Sequence, residues 1–397
     1  MIQLSLEEVK PGMVLARSLV NENGELLLAS GFVINERIIS KMEEIQISGC
    51  WIYEEGTELV IPEEMINEQL TIQMRGKLKA NGDLLKKALK LKEFTLENVK
   101  KTMADTSRFR DIIVVESIRD TVKEVMESLM KKEEATINLN SIRTKSGYLY
   151  QHALDVTITS ILLACKLNFT IKEIEELAMG CLLMDLGLVI LSDHIFANGN
   201  DLSEESLMMM KEHPSYGYAI LRENEKISVN VAHVAYQHHE RQDGNGYPRH
   251  LKGDNTLPIK TLAADKGRIH RYAEIASVAD MYISLIIPRP NTIQPVSPAE
   301  AMRIMISAAG VHLNRSIVDK FLTMIPIFPI GSRIVIVEDK TNGILTGYSG
   351  VVAKTNIEHP ERPMIVLLFD ANKKKTKPLT VDLAEEKGLR VQFARLQ

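Results

Sequence analysis

The stretch AYQHHERQDGNGYP, from Ala235 to Pro248, decides how the rest of the chain is interpreted. It holds two adjacent histidines, His238 and His239, followed by carboxylates. Imidazole and carboxylate groups bind first-row transition metals, so the stretch suggests metal chemistry. Gly244 and Gly246 permit backbone conformations that other residues resist, so the loop can approach a ligand closely. A His-His pair alone is more often incidental, so a metal site requires further ligands elsewhere in the chain.

The bulk composition is that of a globular protein. The chain has 397 residues and a net charge of −4, which gives no reason to expect nucleic-acid binding. Its three cysteines form neither a zinc-knuckle nor a disulfide spacing, which favours a reducing, cytoplasmic location. The N-terminus lacks the features of a signal peptide. No apolar run reaches the ~18 residues of a membrane span, so we expect none.

Changes in periodicity along the chain predict four segments. The pattern of residues 1–60 predicts a small α+β module. Residues 61–135, which lack proline after Pro62, are predicted as a helical connector. Residues 136–325 predict a helical bundle. Residues 326–397 carry alternating β-branched runs separated by turn signals, which predicts a small all-β, barrel-like module. The predicted fold class is therefore mainly α, with a small module on either side of the bundle.

Single polar residues on apolar helical stripes provide the candidate ligands. His152 lies on one such helix, where a lone histidine is usually a core residue. Thr170 and Glu173 predict a capping box that opens the next helix, whose buried stripe ends at Asp185. A carboxylate on a buried stripe is costly unless it is paired or bound to a metal. Asp185 is therefore the most informative of these positions.

The later helices add more candidates of the same kind. Ser203 predicts a helix start, and His213-Pro214 predicts its end, which would leave His213 at a helix terminus. His238 shares the inward face of a further helix, and Asp280 lies on the apolar stripe of the last one. We therefore expect these helices to bring several imidazoles and carboxylates together.

The order of these residues resembles the HD-GYP family, the bacterial branch of the HD phosphohydrolases that opens and cleaves cyclic di-GMP. The matching positions are His152, Asp185, His213-Pro214, His238-His239-Glu240, Asp243-Gly244-x-Gly246-Tyr247-Pro248 and Asp280. They cover roughly residues 136 to 320. The resemblance implies a helical bundle, cyclic di-GMP as the ligand and a role in bacterial signal transduction. The flanking segments resemble extensions found beside this domain in Gram-positive bacteria.

The resemblance implies a two-metal site that clamps a phosphodiester and binds the attacking water. Asp185 matches the bridging aspartate and is the expected catalytic residue. The remaining ligands fall into two groups: His213, His238 and His239 for one metal, and His152 and Asp280 for the other. This mixture of nitrogen and oxygen ligands suits Fe, Mn, Co or Zn.

The resemblance also implies a substrate-binding set. It consists of Asp243, Gly244, Gly246, Tyr247 and Pro248 in the signature loop. Arg289-Pro290 resembles the Arg-Pro step of the family, which would place the Arg289 guanidinium near a phosphate. Protein partners that bind the flanking modules, and a homodimer, are both compatible with the sequence.

The departures from the family pattern affect positions expected to bind the metals and positions expected to contact the substrate. Met184 stands where the name-giving histidine would precede Asp185, and Leu188 replaces a lysine that would stabilise phosphoryl charge. Tyr148 replaces the glutamate of three-metal members. Two further positions also differ from the pattern, Ile283 and Asn291. We therefore expect one well-formed metal site and a second that is weak or empty.

Three functions follow from this mixture of matches and departures. In the first, the domain binds cyclic di-GMP at a partly retained metal site, with weak or no hydrolysis. In the second, it is an active metal-dependent phosphodiesterase that gives pGpG or GMP. A third interpretation, a structural domain without nucleotide, conflicts with the intact loop from Asp243 to Pro248.

Overall fold

The computed structural model describes residues 1–20, 26–44, 47, 49–61, 65–89, 95–110, 112–130, 148–195, 203–257, 267–287, 296–356 and 358–394. The fold is mainly α, as predicted, with small antiparallel sheets. Two compact units are formed. One comprises the described residues of Met1–Met65 and Met324–Gln397, and the other those of Ile66–Ala135 and Ser146–Thr323. The four predicted segments remain a prediction about separately folding domains.

The N-terminal part of the first unit is an α+β arrangement. Strand β1 (Ile2–Ser5) pairs antiparallel with β4 (Gly49–Ile52), and β2 (Leu19–Val20) pairs with β3 (Leu26–Leu28). Helix α1 (Glu36–Glu44) lies between β3 and β4 in sequence. Because every residue of β4 is buried, this strand forms part of the core of the unit.

The C-terminal part of the first unit is a five-stranded antiparallel sheet in the order β8-β7-β6-β5-β9. The strands are β5 (Arg333–Asp339), β6 (Ser349–Lys354), β7 (Met364–Phe369), β8 (Lys375–Asp382) and β9 (Leu389–Phe393). The β-branched runs at residues 333–337, 348–353 and 364–369, which predict strands, coincide with β5, β6 and β7. Strands β8 and β9 lacked a comparably clear alternation, and they form the two edges of the sheet.

Besides a cluster of its own, each of these two parts contributes to one shared hydrophobic cluster. Val60 is fully buried in a cluster with Ile330 and Leu368 from the C-terminal part. A side chain at Gly331 would meet the Trp51 ring at 2.7 Å, so these two segments are in contact. Arg333 donates to a Glu8 carboxylate oxygen at 2.7 Å. The two ends of the chain therefore form a single packed unit.

The second unit is helical throughout its described elements. Three helices come first: α2 (Glu68–Leu89), α3 (Leu96–Met103) and α4 (Val115–Met130). The following helices are α5 (Tyr148–Lys166), α6 (Ile171–Leu183), α7 (Leu186–Ile195), α8 (Glu204–Glu223), α9 (Val229–Gln237), α10 (Arg271–Ile286), α11 (Pro298–Ala308) and α12 (Arg315–Leu322). None of the helices in the described part of the chain is long and apolar enough to cross a membrane.

Glycines allow the helices that carry the site to approach closely. A Cβ at Gly187 of α7 would lie 2.1 Å from the His213 carbonyl oxygen of α8. A Cβ at Gly180 of α6 would lie 2.5 Å from Val234 of α9. No other residue fits these positions without displacing backbone or a branched side chain, so glycine sets the separation of the helices.

One predicted helix boundary is wrong. Helix α8 does not end at His213-Pro214 but continues through Pro214 to Glu223. Proline removes one backbone hydrogen bond without preventing the helix, because packing of the surrounding helices supplies the remaining stability. The predicted helix starts at Thr170 and Ser203 are confirmed, since both hydroxyls cap their helices. Residues 138–145, a polar stretch typical of a loop, lie outside the described residues.

The shared core predicts that damage to the C-terminal sheet destabilises the N-terminal part as well. We expect Leu368→Ala to lower the free energy of unfolding by about 2–5 kcal/mol, because it leaves a cavity beside Val60. Denaturant titration followed by fluorescence of Trp51, the single tryptophan, measures this change. Leu379→Ala, at a position that is 45% exposed in β8, is the matched control. An unchanged Trp51 transition in Leu368→Ala would contradict a shared core.

Candidate metal centre

Four of the predicted ligands converge in the second unit. The candidate metal-binding atoms of His213, His238 and His239 all lie within 4.8 Å of one another. Asp185, between α6 and α7, places its Oδ1 at 3.4 Å from Nε2 of His213 and 3.7 Å from Nε2 of His238. These three histidines and this aspartate are called the imidazole cluster below.

The hydrogen bonds around the cluster fit a bound cation. Nδ1 of His213 contacts the Met210 carbonyl, and Nδ1 of His238 contacts the carbonyls of Val234 and Ala235. A carbonyl only accepts, so both Nδ1 atoms carry the proton and both Nε2 atoms present lone pairs. These Nε2 atoms face each other at 3.2 Å. Two facing lone pairs repel unless a proton or a metal ion lies between them, and the three histidines together could hold such an ion.

Pro214 makes one of these contacts possible. In an α-helix, the N–H of residue 214 would donate to the carbonyl of Met210, but proline has no N–H. The freed carbonyl instead contacts Nδ1 of His213. The proline therefore orients the imidazole of the residue that precedes it.

Protonation within the cluster suits metal binding. Burial opposes ionisation of Asp185, but the neighbouring imidazoles of His213 and His238 lower its pKa well below 3.8. Burial and the neighbouring imidazoles of His238 and His213 lower the pKa of His239 well below 6.5, so His239 is neutral. Burial also acts against a charged His238, yet Asp185 raises the pKa of His238 above 6.5. A proton on His238 would therefore compete with a metal ion as the pH falls.

His152 and Asp280 form a second pair. Nε2 of His152 lies 2.8 Å from Oδ1 of Asp280, which also accepts from the Ser284 hydroxyl at 3.2 Å. Tyr148 stacks on the His152 ring with centroids 5.5 Å apart. The charge of Asp280 raises the pKa of His238, so the pair lies within electrostatic reach of the imidazole cluster. In the structure these two residues bind each other directly.

The loop after the histidines is fixed by close backbone contacts. A Cβ at Gly246 would lie 2.4 Å from the Arg241 nitrogen, and Gly244 has φ +81°, so both positions require glycine. The Tyr247 ring stacks on His239, with centroids 4.8 Å apart and an interplanar angle of 21°. The carboxylate of Asp243 accepts from the Arg241 side chain at 2.8 and 3.1 Å. The loop thus covers the imidazole cluster with an aromatic ring.

Sequence reasoning missed a buried polar network below this loop. Glu240 is 1% exposed and its carboxylate accepts from the backbone N–H groups of Arg249 and Leu251. The Gln242 amide donates at 2.7 Å to Oε1 of Glu274, which also accepts from Asn314 at 3.1 Å. The position of Glu274 on the buried side of α10 was a detectable signal, but its partners are distant in sequence.

The positions that depart from the family pattern have distinct surroundings. Met184 is fully buried where the motif would place an imidazole. Leu188 lies on α7 and is half-buried. Pro248, with Tyr247, closes the loop described above. The predicted phosphate contact, Arg289, and the departure at Asn291 lie outside the described residues.

Comparisons with known proteins identify relatives of the helical unit. A family profile described as "HD domain" matches residues 124–317. A cyclic di-GMP phosphodiesterase from Pseudomonas aeruginosa is 26% identical over 276 residues, 68% of this chain and 61% of the relative. A cyclic di-GMP phosphodiesterase from Thermotoga maritima is 32% identical over 152 residues, 38% of each chain. A 3′3′-cGAMP-specific phosphodiesterase from Vibrio cholerae is 26% identical over 215 residues, 54% of this chain and 37% of the relative.

Among solved structures, an HDGYP protein from Bdellovibrio bacteriovorus covers 81% of this chain and 97% of its own, with 17% identity and a TM-score of 0.39. The chain spans 61% of the length of the Pseudomonas relative and 38% of the Thermotoga relative.

The role of Pro214 is testable by Pro214→Ala. The new N–H would occupy the Met210 carbonyl and release His213, so we expect metal affinity to fall about tenfold or more, as for other lost partners of metal ligands. Helix stability should not suffer, because alanine restores the missing backbone bond. Chelator competition with Zn²⁺ and circular-dichroism melting measure the two effects. Pro298→Ala, at the start of α11, is the control. Unchanged metal affinity in Pro214→Ala would refute the assignment.

The buried network predicts a pH dependence of stability. Burial raises the pKa of Glu274 from 4.5 to about 7 despite the hydrogen bonds from Gln242 and Asn314. Because the folded pKa exceeds the unfolded one, this group makes the fold less stable as the pH rises from about 4.5 to about 7. Glu274→Gln keeps an oxygen for both donors and cannot ionise. We expect it to stabilise the fold at about pH 8 on the order of 2–3 kcal/mol, and not at about pH 4.5.

Thermal melts across this pH range measure the effect. Glu300→Gln, on the partly exposed first turn of α11, is the matched control and should show no such gain. Equal stabilisation by Glu274→Gln at both pH values would show that its ionisation is not the cause.

Proposed function

Since the helical unit of this chain contains an HD domain of the HD-GYP family, we propose that it binds cyclic di-GMP at the imidazole cluster, with weak or no hydrolysis. The observation that carries the proposal is the assembly of Asp185, His213, His238 and His239 around facing Nε2 atoms. The relatives named cyclic di-GMP phosphodiesterases support this choice of ligand.

The donor set favours one divalent transition metal at the imidazole cluster. Three imidazole nitrogens and a carboxylate suit Fe, Mn, Co or Zn. Such an ion supplies Lewis-acid stabilisation of a phosphodiester and a bound water of lowered pKa. The second metal would have to use His152 and Asp280, which bind each other in the structure. We propose that this second site is weak because Met184 offers a thioether where an imidazole is needed.

The chain's own residues bind and shield the ligand in this proposal. Tyr247 stacks on His239 of the cluster, and Gly244 and Gly246 permit the close backbone contacts of the loop. Asp185, held ionised by His213 and His238, retains a negative charge to bind metal. Leu188 offers no cation for the developing charge on phosphorus, so transition-state stabilisation is reduced more than ligand binding.

A second candidate function is an active phosphodiesterase that gives pGpG or GMP. It is favoured by the proximity of the His152–Asp280 pair, whose charge reaches both His238 and His239. In that case the two groups of ligands would act together despite Met184. The sequence of the loop from Asp243 to Pro248 is compatible with either function.

Restoring the family residues distinguishes the two functions. We expect wild-type protein, supplied anaerobically with Fe(II) or Mn(II), to bind cyclic di-GMP and to hydrolyse it slowly or not at all. Met184→His with Leu188→Lys should hydrolyse it measurably faster, since one restored electrostatic stabiliser contributes about 10²–10³-fold. Calorimetry measures binding, and chromatography of pGpG and GMP measures turnover.

The controls separate loss of activity from loss of structure. Metal content and circular dichroism are recorded for each variant, because Met184 is fully buried and its replacement can disturb packing. Leu188→Lys alone changes a half-buried position and is the milder variant. Rapid wild-type turnover that His239→Ala abolishes would establish the phosphodiesterase and overturn the proposal. Absence of cyclic di-GMP binding by metal-loaded wild type would overturn both functions.

A further inference from the structure

A second group of side chains lies on the neighbouring face of α8 and α9. Tyr218 and Arg222 belong to α8, and His233 and Tyr236 to α9. Arg249 directly follows Pro248. We call these five residues the tyrosine–arginine surface. All of them are half-buried or exposed, in contrast to the buried His213 and His238 of the imidazole cluster.

The hydrogen bonds of His233 fix its tautomer. The Gln237 carbonyl oxygen Oε1 accepts from the backbone N–H of His270 at 2.6 Å, which places the amide nitrogen of Gln237 on the other side. That nitrogen lies 3.0 Å from Nδ1 of His233. An amide nitrogen only donates, so Nδ1 of His233 accepts and its proton resides on Nε2. This Nε2–H has no acceptor among the described residues.

Two arginines act electrostatically on the same imidazole. Burial and the positive charges of Arg249 and Arg222 lower the pKa of His233, which favours the neutral ring. Neither arginine is paired with a carboxylate within the described ranges. Other arginines of the same unit are paired: Arg241 with Asp243, Arg268 with Asp254, and Arg271 with Glu173. The tyrosine–arginine surface therefore presents donors without acceptors, which matches an anion.

The aromatic rings add a second recognition element. Tyr218 and Tyr236 stack with centroids 4.3 Å apart at 20°, and Tyr218 lies 5.6 Å from His233. The Arg249 guanidinium lies over the Tyr236 ring at 5.8 Å from its centroid. A nucleobase stacks on such planar groups, and each stacking contact contributes to affinity independently of base identity. Phosphate-binding donors beside stacked rings are the combination that recognises a nucleotide.

We propose that the tyrosine–arginine surface is a nucleotide-binding site separate from the imidazole cluster. Arg222, Arg249 and the Nε2–H of His233 bind the phosphate, and the base packs beside Tyr218 and Tyr236. The inference rests on the proposed function only in the choice of a guanine nucleotide as the probe. Because Arg249 continues directly from the loop at Pro248, a nucleotide bound here contacts the segment that covers the metal ligands.

The experiment separates the two sites by working in the His239→Ala background, where the imidazole cluster is disabled. GMP, guanosine and inorganic phosphate are titrated calorimetrically into metal-free protein. We expect GMP to bind more tightly than either guanosine or phosphate. Arg222→Ala removes an exposed charge and should lower the affinity for GMP about tenfold or more, as expected for the loss of a charged hydrogen bond. His233→Phe keeps a ring for stacking and should cause a similar loss.

Arg303→Ala is the matched control, since Arg303 is an exposed arginine on α11. It should leave GMP affinity unchanged. The proposal is overturned if GMP fails to bind in the His239→Ala background, or if Arg222→Ala and Arg303→Ala behave alike. Equal affinities for guanosine and GMP would contradict the proposed phosphate contact. Equal affinities for phosphate and GMP would contradict the proposed base contact. Cyclic di-GMP binding by the metal-loaded wild type is measured separately, so failure of one proposal is distinguishable from failure of the other.

Discussion

Two imidazole nitrogens held face to face in a buried position set the main constraint on the helical unit. Nε2 of His213 and Nε2 of His238 are 3.2 Å apart, and both rings are oriented by backbone carbonyls on their opposite side. That arrangement is unfavourable without positive charge between the nitrogens, and Asp185 beside them favours the same charge. The surrounding fold must therefore hold three helices in a geometry that is stable only when a cation or a proton lies between these nitrogens.

Small residues and proline are the means by which the backbone meets this constraint. Gly187 lets α7 approach the His213 carbonyl, and Gly180 lets α6 approach Val234. Pro214 leaves a carbonyl free inside a helix, where an imidazole can use it. Each of these residues lowers helix stability considered alone. Packing of the apolar helix faces compensates for this lost helix stability. The geometry of the site therefore depends on that packing.

Much of the site could be predicted from the sequence, because its residue types and order are specific. Asp185, a carboxylate on an apolar stripe, could be identified as a candidate ligand without knowledge of distances. The same holds for the adjacent histidines. The course of α8 through Pro214 could not be predicted, because the preference of proline for helix ends is statistical and tertiary packing overrides it. The partnership of Gln242, Glu274 and Asn314 was also hidden, since it joins positions far apart in the chain. The shared core of the first unit was missed for the same reason: each half appeared complete by its own periodicity.

The discontinuity of that first unit has a consequence for synthesis. Val60 and Trp51 are made early, but the residues that bury them, such as Leu368 and Gly331, follow only after the whole helical unit. At ~5–20 residues per second, this interval is on the order of tens of seconds. During that time, the early strands expose apolar surface that other unfolded segments can bind. Synthesis of the helical unit therefore separates the synthesis of the two parts of the first unit.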